Sequence, residues 1–313
     1  MVVVYFGSDW GAKAPLRKAP LTRKSFEDWH ERGLKNGIAM YRASINWYDP
    51  KRNVFEKSWA YRNKRWIKIE KPIRPDLIFD KIMGKRDYSM FDFKIKLSQK
   101  VRIFNHPLFR TMVDNKLAQY LILGEFMPAS FLATTRDELL NAFRKIHSTK
   151  VVLKPLYGSG GFGILIAEKS KAKKTKIDYP VFVQEFIKSE KGIPGFSKKD
   201  EIADLRLIYM NHKIIYALSR IAKRGSLFTN FHQGATAILV PNNLIPGSAL
   251  AKEIVKKLSI FPEANYSLDF IFTNKGKPVL VEMNTTPGFD LLNIVGNEQI
   301  KAKNFKEFIS IIK

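Results

Sequence analysis

The sequence predicts a mixed α+β and α/β chain built in more than one unit, and three observations carry that expectation. Short apolar runs of strand type recur along the 313 residues, separated by stretches with helical spacing. The chain is 45% hydrophobic and 27% charged, a globular balance, and is long enough for two or three domains. Near its end, the runs Tyr266–Thr273 and Val279–Gly288 flank Asn274-Lys275-Gly276, which reads as a hairpin turn.

Residues 1–105 form the first region. Val2–Phe6 reads as a buried strand. A helix is expected from Ser25 as N-cap, with Glu27 and Asp28 in its first turn, Phe26 and Trp29 inward, and Gly37 closing it. β-like runs follow at Ala39–Trp47 and Trp66–Ile69, with turns at Asp49-Pro50 and Asn63-Lys64. Pro75–Asp80 reads as a buried strand ending in an acid. All five tryptophans (Trp10, Trp29, Trp47, Trp59, Trp66) fall here among Arg and Lys. That mixture suits base stacking on a cationic surface, or simply core and rim, and the second reading is favoured.

Residues 106–180 form the second unit. Asp114 is expected to cap a helix running to Gly124, and Thr135–Glu138 is a capping box for a helix to His147. Strands at Val151–Lys154 and Ile164–Ala167 flank YGSGGFG, and Lys169–Lys176 is a lysine-rich loop. Residues 181–313 form the third unit. It starts with a strand, Val181–Ile187, and a loop, Ser189–Asp200. An antiparallel pair, Leu205–Met210 and Lys213–Arg220, turns at Asn211-His212. Ser248–Ile260 is an amphipathic helix with Leu250, Ile254 and Leu258 on one face, and Phe305–Ile312 is the last helix.

Composition removes some functions. With no cysteine, disulfides, thiolate metal sites and cysteine nucleophiles are excluded. The start MVVVYFGSDWG lacks a basic n-region and a long apolar core, so no signal peptide is expected. No apolar run is long enough for a membrane helix, and a cytoplasmic protein is the expectation. Lys and Arg number 54 against 29 Asp and Glu, a net charge of +25. Such a field attracts nucleic acid, nucleotide phosphates, acidic peptides or anionic membrane, or is a lysine-rich solvated surface. Charge alone does not choose among these.

The chemistry concentrates in two places. In a strand, Glu282 and Asn284 point to one face. A two-residue turn at Lys275-Gly276 puts Asp269 opposite Glu282, whereas a three-residue loop shifts that pairing. Three oxygen-bearing side chains on one face suit a hard cation such as Mg2+. An acid at a strand end facing water is the other reading. The second place is Gly158, Gly160 and Gly163, which match G-x-G-x-x-G. A dinucleotide loop needs a helix next, and Ile164–Ala167 reads as strand, so that reading fails. A Walker loop fails too, with no Gly-Lys-Ser/Thr. A glycine hairpin that closes over phosphates remains, as in protein kinases, whose other signatures are missing. An ordinary glycine turn is the alternative, and Lys154 just before the loop supplies a cation for phosphate.

Eight pieces in order carry a resemblance. They are DNK (Asp114–Lys116), LKPLYGSGGFGI (Leu153–Ile164), VQEFI (Val183–Ile187), DLRL (Asp204–Leu207), ALSRIA (Ala217–Ala222), TNFHQGA (Thr229–Ala235), LDFI (Leu268–Ile271) and VEMNTTPG (Val281–Gly288). From about Asn105 to the end the chain resembles the ATP-grasp superfamily, and within it the RimK-type (alpha-L-glutamate ligase) and glutathione-synthetase-like ligases. The resemblance implies an ATP-grasp fold with an N-terminal α/β pre-ATP-grasp domain over residues 1–105. It also implies a small lid subdomain over 106–180 and a large subdomain with a metal site over 181–313.

It implies roles as well. Lys116 and Lys154 hold ATP phosphates, and the loop of Gly160 and Gly161 covers them. Gln184, Glu185, Phe186 and Ile187 form the adenine hinge, and Asp204 contacts the nucleotide. Asp269, Glu282 and Asn284 bind two Mg2+ ions, with Mn2+ as a substitute. Arg206 and Arg220 face the γ-phosphate and the acyl intermediate, and Asn230 contacts phosphate or metal-bound substrate. Taken singly, Lys116 reads as a helix surface charge, Arg206 and Arg220 as cross-strand ion-pair partners and Asn230 as a loop cap. Their place in the series favours the site.

The chain departs from the RimK-type pattern. Those ligases carry Arg at the positions of Phe228 and Gln233, and Gly at Ala235. The loop Ser189–Asp200 is longer, and the Trp-rich first region is unlike a compact first domain. Loss of two cations leaves glutamate transfer open, with Lys223 and Arg224 as replacements.

The expected function is ATP- and Mg2+-dependent ligation of an amino acid or peptide carboxylate to an amine through an acyl phosphate. An acidic polypeptide is a possible substrate, a membrane is not expected, and nucleic acid is not favoured. Rival readings are a small-molecule kinase of the same fold, such as an inositol phosphate kinase, and a non-catalytic polyanion-binding protein.

Overall fold

The structure, a computed structural model, describes residues 1–5, 9–82, 90–158 and 160–312. The first region contains β1 (Val2–Tyr5), α1 (Pro20–Lys35), β2 (Tyr41–Ser44), β3 (Tyr48–Asp49), β4 (Val54–Phe55), β5 (Ser58–Arg62), β6 (Arg65–Ile69), β7 (Leu77–Asp80), α2 (Phe91–Ser98) and β8 (Arg102–Phe104). Its six-stranded sheet runs β6-β5-β2-β1-β7-β8, with β2, β1, β7 and β8 parallel. The β5–β6 turn is Asn63-Lys64, both residues with positive φ, as a tight hairpin of this twist requires. Phe6, assigned to the first strand from the sequence, lies outside the described residues.

Next come α3 (Pro107–Val113), α4 (Lys116–Leu123), β9 (Ser130–Ala133), α5 (Arg136–Lys145), β10 (Lys150–Pro155), β11 (Leu165–Glu168), α6 (Lys169–Ala172) and β12 (Val181–Glu185). The four strands form an antiparallel sheet, β11-β10-β12-β9, covered by α5. The last part holds β13 (Ala203–Met210), β14 (Lys213–Ile221), β15 (Thr236–Val240), α7 (Ser248–Leu258), β16 (Asn265–Phe272), β17 (Pro278–Asn284), α8 (Leu291–Val295) and α9 (Glu298–Ile312). Its five-stranded sheet, β15-β14-β13-β16-β17, is antiparallel throughout.

The alternation of β13 and β16 decides what each sheet face does. Leu205, Leu207, Tyr209, Leu268 and Phe270 point to one side and pack on Ala251, Ile254 and Leu258 of α7. Asp204, Arg206 and Asp269 therefore share the other side, which is apolar only at its far end. There Met210, Tyr216 and Leu218 meet α9 and α1, which also cover Val3 and Phe79 of the first sheet. Trp29 fills this layer, fully buried, with Phe308 at 4.4 Å and Phe289 at 4.6 Å. Burying each such ring is worth roughly 1.5–3 kcal/mol. One core thus fixes the first region against the third sheet and anchors Phe289, which follows the Pro287-Gly288 stop.

Several details differ from the sequence reading. First, α1 begins at Pro20, not Ser25. Pro suits the first helical turn because its missing N–H costs nothing there. Ser25 is buried inside the helix, and its hydroxyl donates to Phe289 O at 2.5 Å. Second, α4 is capped by Asn115, whose Oδ1 accepts from Ala118 N–H at 2.7 Å; Asp114 ends α3. Third, Val181–Glu185 pairs with β10 and β9, so it belongs to the four-stranded sheet and not to the third unit. Fourth, Lys169–Ala172 is a helical turn, and α9 starts at Glu298, well before Phe305.

The tryptophans are core and rim: Trp29 and Trp59 are buried, and Trp10 and Trp66 are half-buried. Among the described residues no helix is long and apolar enough to cross a membrane.

Candidate active site

The site lies where the polar stripe of the five-stranded sheet faces the four-stranded sheet and the glycine loop. The hairpin loop has three residues, since Thr273 N–H donates to Lys277 O at 2.9 Å and Phe272 pairs with Pro278. That register alone would set Asp269 opposite Val281. Instead the ladder shifts between Asp269 and Phe270, and Asp269 pairs with Glu282. Val281 is the extra residue of a bulge. Its carbonyl turns to Lys154, whose Nζ donates to it at 3.1 Å.

Lys154 Nζ also donates to Gln184 Oε1 at 2.7 Å, and Gln184 Nε2 donates to Ser130 Oγ at 3.2 Å. Burial pushes the Lys154 ammonium down to about 8 against the pull of Glu282. It is an ammonium held in a site that lacks enough negative charge, which a phosphate would supply. Lys116, at the start of α4, is buried. Its Nζ donates to Gly158 O at 3.1 Å and lies 3.5 Å from Glu282 Oε1. The glycine loop, a second lysine and the metal-type carboxylate are thereby brought to one point.

Behind them runs a chain of ion pairs. Arg206 holds Asp269 through Nε at 2.8 Å and Nη2 at 2.5 Å. Arg220 holds Asp204 through Nε at 2.7 Å and Nη2 at 2.5 Å, and Nη2 reaches Asp269 Oδ2 at 2.9 Å. Burial raises both carboxyls. For Asp269 two guanidiniums outweigh it and hold the group below the usual carboxylate range. Asp204 has a single guanidinium and sits near the charge of Asp269, so it stays above that range. Thr229 Oγ1 donates to Asp204 Oδ2 at 2.5 Å, a partner the sequence reading missed.

Two cavities open on this stripe. One, of 160 Å³, is lined by Lys154, Asp204, Asp269 and the segment from Gln184 to Ile187. In that segment Glu185 N–H is spent on Ala129 O at 2.9 Å and Phe186 N–H on Ser148 Oγ at 3.2 Å. The other cavity, of 550 Å³, is lined by Gly158, Gly160, Arg206, Asn284 and Asp290. Both are lined by Arg220, Asn230 and Glu282, so they meet there. Asn230 also packs on the glycine loop: a Cβ added to Gly161 would lie 2.6 Å from Asn230 Nδ2.

Every site residue named from the sequence lines one of the two cavities, apart from Lys116, which touches the loop and Glu282, and Gly161, which lies against Asn230. Asp290, two residues past the Pro-Gly stop, was passed over; an acid just beyond that stop was its only signal. Lys223 and Arg224 line neither cavity. For a cation, Glu282 and Asn284 offer hard oxygens on one face, while Asp269, with Oδ2 taken by Arg206 and Arg220 and Oδ1 by Arg206, keeps only the second lone pair of Oδ1. Among the described residues no three His, Cys, Asp or Glu side chains converge. A metal held here must take further oxygens from water or phosphate, which fits Mg2+ bound with a nucleotide.

The model of the RimK-like ATP-grasp domain matches residues 115–306. The chain is 29% identical over 192 residues to a probable alpha-L-glutamate ligase of Vibrio vulnificus, covering 59% of this chain and 58% of that protein. It is 27% identical over 186 residues to one of Pseudoalteromonas translucida, covering 56% of each. The chain thus spans less than two thirds of the length of these relatives. Among solved structures, D-alanyl-alanine synthetase A of Vibrio cholerae superposes with a TM-score of 0.65 at 14% identity, over 97% of this chain and 95% of that one. A RimK domain protein of Sphaerobacter thermophilus superposes at 0.61 with 15% identity, over 98% of each. Because that family model matches more than half of its length, the chain belongs to the RimK-like ATP-grasp family.

Proposed function

We propose that the protein is an ATP- and Mg2+-dependent ligase that joins an amino acid or peptide carboxylate to an amine. The observation that carries this reading is the meeting of two cavities at Glu282, with Lys116 Nζ 3.5 Å from it. The smaller cavity takes the base and the larger takes the reacting groups, so the phosphates cross the junction. The backbone of the segment from Gln184 to Ile187, which lines the smaller cavity, reads the adenine. Lys154, Lys116 and the loop of Gly160 and Gly161 hold the triphosphate.

The substrate carboxylate attacks the γ-phosphorus, the bond to the β-phosphate oxygen breaks, and ADP leaves. The amine, having lost a proton to solvent, attacks the acyl carbon. The carbon–oxygen bond to phosphate breaks and inorganic phosphate departs, while the nitrogen sheds its second proton. Arg220, with Asn230, balances charge on the transferred group. Glu282, Asn284 and Asp269 would hold two Mg2+ ions, which neutralise phosphate charge when bound. Closure of the glycine loop keeps water from the acyl phosphate.

We read the chain as a pre-ATP-grasp-like domain to residue 105, a lid subdomain with the four-stranded sheet, and a large subdomain with the five-stranded sheet. The need for ATP supports a cytoplasmic place of work. The test is incubation with ATP, Mg2+ and a pool of amino acids and acidic peptides, followed by mass spectrometry. ADP, phosphate and a condensed product are expected; a phosphorylated product without condensation would favour a kinase.

A further inference from the structure

The larger cavity carries its charges unevenly. Four charged side chains line it: Arg206, Arg220, Glu282 and Asp290. Arg220 is buried and spent on Asp204 and Asp269. Glu282 is met by Lys116. Arg206 gives Nε and Nη2 to Asp269 and keeps Nη1, so one guanidinium edge remains. The Asp290 carboxylate does not cap the helix after it, and among the described residues it has no hydrogen-bond partner. Gly288 makes room for it, since a Cβ there would collide with Asp290 Oδ1. Lys81, whose Nζ donates to Pro287 O at 3.1 Å, feels the charge of Asp290 from outside the cavity lining. The rest of the wall includes Phe231, Leu291, Pro287 and Phe162, the last 72% exposed on the glycine loop.

One cation edge and one carboxylate match one zwitterion. A third charge on the substrate would face aromatic and aliphatic groups, where an unpaired carboxylate is costly. We propose that this cavity receives the attacking amine as an α-amino acid with an apolar side chain. Its ammonium lies against Asp290, its carboxylate against Arg206, and its side chain on Phe231 and Leu291. Glutamate is thereby disfavoured. This inference rests on the ligase reading and names the substrate class of that site.

The test is calorimetry on the full chain. ADP with Mg2+ is titrated first, then L-alanine, L-leucine, L-phenylalanine and L-glutamate into the ADP-saturated protein. At least one apolar amino acid should bind roughly tenfold or more tighter than glutamate, one uncompensated charge being worth at least that. Asp290→Asn should weaken that ligand by a similar factor while still binding ADP, which reports an intact fold. Phe231→Arg should shift preference toward glutamate. Failure to bind ADP sinks the ligase reading and this inference with it. Normal ADP binding sinks this inference alone if glutamate binds as tightly as the apolar set, if none of that set binds, or if Asp290→Asn changes nothing.

Discussion

Asp269 and Glu282 stand opposite one another across β16 and β17 because a three-residue loop and one extra residue, Val281, cancel in register. The bulge does two things. It brings both carboxylates to one face, and it frees the Val281 carbonyl to hold Lys154. Cation-holding and phosphate-holding groups are therefore fixed by a single irregularity of one strand.

Glu282→Ala should remove most catalysis and leave the fold intact, because Glu282 lies on the open stripe with its side chain 22% exposed. If it contributes several kcal/mol of charge stabilisation through a metal, ADP release should fall roughly 100- to 1000-fold. Single-turnover ADP release and a denaturant midpoint measured together check both halves. Retained turnover would count against the metal assignment.

Gly161→Ala should act on the loop and not on the core. Gly161 has φ +78, and an added Cβ would press on Asn230 at 2.6 Å and Gln233 at 2.8 Å. The left-handed conformation alone costs a non-glycine residue about 1–2 kcal/mol, and here the neighbours must also move. The KM for ATP should rise roughly tenfold or more, with stability falling by no more than that local strain. Steady-state kinetics in ATP decides this.

Much of the site was legible because strands alternate: Glu282 and Asn284 could be set on one face from spacing alone, whereas the place of Asp269 hung on the length of the turn. The bulge was not, since Val281 in VLVEMN looks like any strand residue and only the ladder shows it to be unpaired. Ser25 reads as a cap because serine often is one, yet Pro20 starts the helix and tertiary packing consumes the Ser25 hydroxyl. The sheet to which Val181–Glu185 belongs is set by which partners it meets, β10 and β9, and no local pattern encodes that. Asp290 escaped notice because its use depends on a cavity formed by distant segments.

Asp80→Ala should cost stability without touching the nucleotide groups. Asp80 is 3% exposed, with Lys94 Nζ at 2.6 Å and Arg110 Nη1 at 2.9 Å, and Arg110 continues to Asp114 at 3.2 Å. Asp114 in turn accepts from Thr285, just after β17. Removing the carboxylate leaves half-buried Lys94 without its partner and buried Arg110 with Asp114 alone, typically about 3–5 kcal/mol. Urea unfolding should show a loss of that size. Burial opposes ionisation of Asp80, but Arg110 and Lys94 win and hold it below the usual range. The stability it adds is present above the unfolded carboxylate value and disappears as pH falls through its folded one.

Nucleotide affinity should titrate with Lys154. Burial lowers its ammonium from 10.5 to about 8, so without nucleotide the protein holds this proton less tightly than the unfolded chain does. Folding stability from this group therefore rises as pH climbs from about 8 toward 10.5. Phosphate oxygens beside Nζ favour the charged form and shift it back upward. ATP binding should then be pH-independent below about 8, take up a proton above it, and weaken by up to about tenfold per pH unit there. Calorimetry in buffers of different ionisation enthalpy counts that proton directly. In Lys154→Arg, always charged, the pH dependence should vanish even if affinity drops.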